Sequence, residues 1–268
     1  MAEFMGRQRR FPDAREDIER WEDAPQTPQT RSPSYRLAFS DEEFLTRDEL
    51  RPVRLQLELM KPELALVERG IVSTVVMLGS ARLADPEGPG GGTALAGHYA
   101  AAREFARLAT ERALATGNRE GVICTGGGPG IMEAGNRGAA DAGGISISLN
   151  IVLPHEQRPN LFGTPELSFN FHYFAIRKMH FLMRARAISV FPGGFGTLDE
   201  LFEVLTLVQT RRMRPLPILL FGQDFWDRVI DWQALVEAGT ISPADPDLFR
   251  YVATPQEAMA AMESWPSR

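Results

Sequence analysis

Apolar residues along this chain gather in short runs separated by longer amphipathic stretches. Ile71-Val72-Ser73-Thr74-Val75-Val76-Met77-Leu78 is rich in β-branched residues and stops at Gly79-Ser80, the pattern of a buried strand. Similar runs at 122–125, 145–149, 187–191 and 216–221 predict four more strands. Helical composition fills 94–115, 131 to about 142, 174–185, 198–210 and 224–238, and the Pro/Gly-rich segment 85–92 reads as a loop. Strands alternating with helices imply an α/β fold, a parallel sheet with helices on both faces.

Residues 1–40 show few apolar positions and no sustained period, so they are expected to be a flexible N-terminal arm; the alternative is a strap that orders across a partner subunit. Residues 41–268 then form a single catalytic domain. The stretch 41–69 is helical in parts, with Ser40-Asp41-Glu42-Glu43 resembling a helix start whose acidic groups suit the helix dipole.

Composition narrows the function. With 44% hydrophobic and 24% charged residues, the chain has the make-up of an ordinary globular protein. A formal net charge of −6 argues against nucleic acid as a partner. The one cysteine, Cys124, can form neither an internal disulfide nor a cysteine cluster for metal. His98, His155, His172 and His180 match no zinc spacing, although His172 and His180 fall on one predicted helix, and no metal is expected. No long apolar run is present and the N-terminus is charged, so neither a membrane span nor a signal peptide is expected, and the location should be cytoplasmic.

Ligands of open parallel sheets bind beyond the carboxyl ends of the strands. Two glycine-rich turns fall there: Thr125-Gly126-Gly127-Gly128-Pro129-Gly130 and Phe191-Pro192-Gly193-Gly194-Phe195-Gly196-Thr197. Each follows a strand and opens a helix, where exposed amides and the helix dipole suit a phosphate. Neither is a P-loop or a dinucleotide fingerprint. The plainer reading, that the glycines only make tight turns, weakens when two such turns end successive strands.

Charged groups lie close by in sequence. Arg177 and Lys178 interrupt an apolar helical segment, and either reach to solvent from a helix end or face the ligand. Glu200 stands three residues after Thr197, which allows a capping box or a free functional carboxylate. Glu203, one turn on, can share its side, while Asp199 should point elsewhere. Breaking an N-glycosidic bond develops positive charge on the sugar. A carboxylate beneath the ribose stabilises that charge and activates water, and an arginine orients the carboxylate or holds oxygens with its planar fork. Leu201, Leu205 and Val208 form an apolar stripe that suits an interface or the core, and Arg211, Arg212 and Arg214 sit where cations favour a helix end.

Gly79-Ser80-Ala81-Arg82, the turn from Gly126 through Ala134, Leu153-Pro154-His155-Glu156-Gln157, Arg177-Lys178 and Pro192-Gly193-Gly194-Phe195-Gly196-Thr197-Leu198-Asp199-Glu200 together resemble the LOG (Lonely Guy) family, whose members often carry a lysine decarboxylase label. The likeness covers roughly residues 71–238. It implies a Rossmann-like fold, a homodimer or higher homo-oligomer, and phosphoribohydrolase activity on nucleoside 5′-monophosphates, either cytokinin ribosides or AMP, without a cofactor. By motif, it implies Arg177 and Glu200 as the catalytic pair and Gly193, Gly194, Gly196 and Thr197 as the phosphate cradle. Gly126, Gly127 and Gly128 would line the nucleotide, with Ser80 and Lys178 as further binding residues. The first turn reads Gly-Pro-Gly-Ile-Met-Glu-Ala, where the shorter plant-like members have Gly-Leu-Met-Gly. That difference, the N-terminal arm and the insert at 153–167 suggest a longer subgroup. A decarboxylase would need a lysine for pyridoxal phosphate, and only Lys178 has any suitable context. The competing expectation is a nucleotide or molybdenum-cofactor carrier without turnover, which the presence of both Arg177 and Glu200 disfavours.

Overall fold

The computed structural model describes residues 11–83, 85, 95, 97–154 and 158–266. Most of the expected loop at 85–92, and His155, Glu156 and Gln157 of the quoted motif, lie outside the described residues. The chain divides into two compact units, Met1–Leu57 and Glu58–Arg268.

In the first unit, helix α1 (Ala14–Glu22) starts at Asp13, whose side chain accepts the Arg15 N–H. Helix α2 (Glu42–Leu45) starts at Asp41, which accepts the Phe44 N–H, so the expected helix start is there, with Asp41 as its cap. Helix α3 (Arg51–Glu68) runs on into the second unit. There, Glu63 pairs with Arg184, and Glu58 accepts the N–H groups of His172 and Tyr173 at 2.8 and 3.1 Å.

The second unit is built on seven parallel strands: β1 (Thr74–Leu78), β2 (Val122–Thr125), β3 (Ser146–Ile151), β4 (Ser168–Phe171), β5 (Ala185–Val190), β6 (Ile218–Phe221) and β7 (Arg250–Val252). Their order is β4-β3-β2-β1-β5-β6-β7. The chain winds outward from β1 to β4, then returns to β5 on the other side of β1. The strand order therefore reverses between β1 and β5, the place where such sheets hold their ligands. Val76 pairs with Ile188 and Leu78 with Val190, which sets the ends of these two central strands level.

Both faces are covered. Val76 and Leu78 pack with Phe181, Leu201 and Trp226 on one side; Val75 and Met77 pack with Tyr99, Phe105 and Ile131 on the other. Alternation along one fully buried strand thus feeds two cores, as expected of a sheet between helical layers. Helices α4 (Gly97–Ala115) and α5 (Ile131–Asp141) supply the second core, and α6 (Phe174–Met183) and α7 (Phe195–Gln209) the first. The stripe of Leu201, Leu205 and Val208 belongs to the core. The fold is Rossmann-like α/β, as anticipated.

Several local expectations change. The helix expected over 224–238 is two, α8 (Gln223–Val229) and α9 (Trp232–Glu237), because Ile230 is extended and Asp231 caps the second by accepting the Ala234 N–H. Strands β4 and β7 and a last helix, α10 (Pro255–Glu263), join the expected set. His172 precedes α6, so only His180 lies on that helix. Helix α7 starts at Phe195 with Gly194 as its cap and no side-chain capping bond; Thr197 lies inside it, and the capping box does not form.

Candidate functional site

The turns that follow β1, β2 and β5 meet at one place, and Ser80 joins them. Its N–H donates to Pro192 O at 3.1 Å and its carbonyl accepts the Ile131 N–H at 3.1 Å. Close packing explains some of the glycines. Gly130 has φ +70°, and a Cβ there would stand 2.3 Å from Ser80 O. Gly127 has φ +72° and lies against Asn150, whose Oδ1 would be 2.4 Å from an added Cβ. Both positions need glycine for conformation as well as space.

The second turn differs. A Cβ on Gly193 would meet Thr197 Oγ1 at 2.1 Å, so Gly193 is required by the buried threonine beneath it. Gly194 and Gly196 have negative or ordinary backbone angles, and nothing lies within 4 Å of a Cβ added to either. Neither conformation nor packing demands glycine there. Open space over the amino end of α7 leaves the backbone approachable by an anion.

Arg177 is the buried cation of the site, 8% exposed. Its Nε donates to Leu149 O at 2.7 Å, its Nη1 to Glu200 Oε1 at 3.2 Å, and the guanidinium lies 4.9 Å from the Phe181 ring centroid. A helix end reaching to solvent is therefore not what Arg177 is. Glu200, its side chain 16% exposed, sits on the second turn of α7. Burial pushes the Glu200 carboxyl up to about 7; Arg177 and Lys178 pull it down, and Asp199 and Glu203 add to the rise. A carboxyl that titrates near neutrality is suited to exchange a proton with water or substrate. Beneath the pair, burial pushes the Cys124 thiol up, so it stays a neutral core residue.

Lys178, expected among the binding residues, holds Asp199 at 3.1 Å and Glu203 at 3.2 Å. Burial works against its charge, but these two carboxylates outweigh it and raise its pKa. Its neighbours are the carboxylates that flank Glu200. Gly126 lies against Arg177, and the Gly128 carbonyl accepts from Asn160 Nδ2 at 3.0 Å. All the expected site residues thus fall around the joined turns. Asn150, Asn160 and Asn136 were not anticipated; the available signal was only that asparagine both donates and accepts, which suits it to holding turns.

Among the described residues no group of three His, Cys, Asp or Glu is placed to hold a metal, and no helix is long and apolar enough to cross a membrane.

A family model described as "Possible lysine decarboxylase" matches residues 132–262. A probable cytokinin riboside 5′-monophosphate phosphoribohydrolase of Oryza sativa subsp. japonica is 29% identical over 162 residues, 54% of this chain and 64% of that protein. A cytokinin riboside 5′-monophosphate phosphoribohydrolase of Arabidopsis thaliana is 27% identical over 148 residues, 54% of this chain and 67% of that protein. The chain thus spans about two thirds or less of the length of these relatives. The solved molybdenum cofactor binding protein of Rippkaea orientalis is 16% identical with a TM-score of 0.45, covering 72% of this chain and 96% of that one.

The decarboxylase description does not fit the residues. Pyridoxal phosphate needs a lysine whose amine can lose its charge, and the chain has two lysines, Lys61 and Lys178. Lys61 is exposed on α3, and the Lys178 ammonium is held between two carboxylates. The matched family model and the two related phosphoribohydrolases, at modest identity, make this chain similar to proteins of the LOG family.

Proposed function

We propose that this protein hydrolyses the N-glycosidic bond of nucleoside 5′-monophosphates, releasing the free base and ribose 5-phosphate. The observation that carries the reading is the Glu200 carboxylate, mostly buried and paired with Arg177 at 3.2 Å, one turn inside a helix whose mouth is built from glycine. The relatives named as phosphoribohydrolases support it.

The 5′-phosphate sits at the amino end of α7. The N–H groups of Phe195, Gly196 and Thr197 have no intrahelical partners by position, and the helix dipole adds positive potential. Held there, the ribose reaches back toward Gly126, Arg177 and Glu200. As the C1′–N bond breaks, its electron pair leaves with the base and positive charge spreads over C1′ and the ring oxygen. The Glu200 carboxylate stabilises that charge and takes a proton from the water whose oxygen bonds to C1′; the departing base takes up a proton in turn, and Glu200 returns to its carboxylate by giving its proton up to solvent or to the base. Arg177 fixes the carboxylate in place with its planar fork. Lys178 offsets the charge of Asp199 and Glu203 beside it. Assembly as a homodimer or larger homo-oligomer is part of the same reading, tested by light scattering.

The test is incubation of the purified protein with AMP and a panel of other 5′-monophosphates, with adenosine as the control lacking phosphate, followed by chromatography. Free base and ribose 5-phosphate should form from a monophosphate and not from adenosine. In Glu200→Ala, base release should vanish while AMP binding persists. Binding of AMP by the wild type without release of any base would overturn the reading in favour of a carrier.

A further inference from the structure

Behind the first glycine turn lies a polar cluster that the proposed chemistry does not use. Asn136 on α5 is fully buried. Its Oδ1 accepts the Thr125 hydroxyl at 2.8 Å and Asn160 Nδ2 at 2.8 Å, and its Nδ2 donates to Ser146 Oγ at 2.9 Å. Thr125 Oγ1 in turn accepts the Gly127 N–H at 3.0 Å. From the other side comes Asn160, in the segment between β3 and β4. Its backbone N–H and its Nδ2 reach Gly127 O at 2.8 and 3.0 Å, and Nδ2 also reaches Gly128 O at 3.0 Å. Its Oδ1 accepts the N–H groups of Phe162 and Gly163 at 3.1 and 3.2 Å. Gly163 is pressed onto β3, where an added Cβ would stand 2.4 Å from Ser148 Oγ.

We propose that Asn160 is a positioning residue that staples segment 158–163 to the first glycine turn and, by fixing the carbonyls of Gly127 and Gly128, sets how tightly the nucleotide is held. The inference rests on the nucleotide reading of the site. Consecutive glycines do not fix their own peptide planes, because both signs of φ are open to them. A flipped peptide in such a turn would move a carbonyl oxygen into the space where the nucleotide lies. Here both carbonyls are committed to one asparagine, whose amide group donates while its oxygen holds the following backbone. Asn136 and Thr125 secure the same turn from below. Among the described residues, Asn160 hydrogen-bonds to the turn, to Asn136 and to its own segment and not to Arg177 or Glu200, so its loss should act on binding and leave the bond-breaking pair in place.

Asn160→Asp tests this with little change of size. It keeps Oδ1 for Phe162 and Gly163 and replaces the donating amide by an acceptor facing two carbonyls and Asn136 Oδ1. Asn160→Ala serves as the second, uncharged variant. In both, KM for AMP should rise by about tenfold or more while kcat changes by less than about threefold. Hydrogen exchange in a peptide covering 125–131 should quicken, with exchange in β1 and β5 as in the wild type. Unchanged exchange in the turn, or a fall in kcat at unchanged KM, would overturn the inference. Should the wild type release no base from any monophosphate, the functional reading falls by itself, and the exchange comparison still decides whether the staple exists.

Discussion

Arg177 occupies the space that a side chain at Gly126 would fill. A Cβ at Gly126 would lie 2.5 Å from Arg177 Nη2 and 2.6 Å from Met132 Sδ. The glycine of the first turn and the arginine of α6 are therefore one device, since the fork that holds Glu200 can sit where it does only if residue 126 has no side chain. Gly126→Ala should push the guanidinium off Glu200 and lower kcat by about tenfold or more, with a modest fall in Tm. Met132 is flexible enough to yield, but the Arg177 fork is pinned by Leu149 O at 2.7 Å and cannot follow freely. Kinetics indistinguishable from the wild type would show that the two residues are not coupled.

The pH profile carries the mark of Glu200. If its carboxylate is the working form, kcat/KM should rise with pH through a midpoint near about 7, where burial has placed it. Lys178 pulls that value down, and Asp199 and Glu203 push it up. Lys178→Met removes the favourable charge and leaves two carboxylates without their cation, so the midpoint should move upward. Ionisation of the substrate's own phosphate would not respond to this change. A midpoint unmoved in Lys178→Met would assign the limb to the substrate or to another group.

Much of this site is legible in the sequence because its parts are local. Val122–Thr125 and the turn after it are contiguous, and a β-branched run ending in glycines reads the same in a sequence as in a fold. Glu200 follows its turn by a fixed spacing, which conveyed its presence but not its role. The capping box failed because α7 begins at Phe195, two residues before Thr197, so the spacing that matched a motif matched it in the wrong frame. Strand β4 stayed hidden because it has only four residues, Ser168-Phe169-Asn170-Phe171, at the sheet edge and directly after the segment that reads as insert. The break between α8 and α9 carries neither glycine nor proline; Asp231 alone marks it. The asparagine staple joins residues 24 to 33 positions apart, and no pattern along a chain announces such a contact.

Stability should also depend on Glu200. Its carboxyl titrates at about 7 in the fold against a usual value of 4.5, so between those values the folded state holds a proton that the unfolded state has released. Its contribution is therefore most favourable below about pH 4.5 and declines as pH rises to 7, by on the order of 3 kcal/mol in all. Glu200→Gln cannot titrate. The Tm of the wild type minus that of the variant should fall from pH 5 to about 7 and level off above it, whichever protein is the more stable at the start. Parallel Tm curves across this range would mean that Glu200 does not change its protonation there.

Gly196 separates stability from function most cleanly. It lies inside the first turn of α7 with no positive φ and open space where a Cβ would go. Alanine at such a position loses less conformational entropy on folding, so Gly196→Ala should stabilise the protein by about 0.5–1 kcal/mol. If the glycine is there for the phosphate, the new methyl stands where a phosphate oxygen must approach the backbone. KM for AMP should then rise by about tenfold or more, and added ribose 5-phosphate should inhibit the variant less than the wild type. Gly193→Ala is the opposite control, because its methyl would collide with Thr197 Oγ1 inside the fold and should lower Tm. A Gly196→Ala protein that is more stable and binds AMP as well as the wild type would move the phosphate away from the mouth of α7, and the orientation proposed for the ribose would go with it.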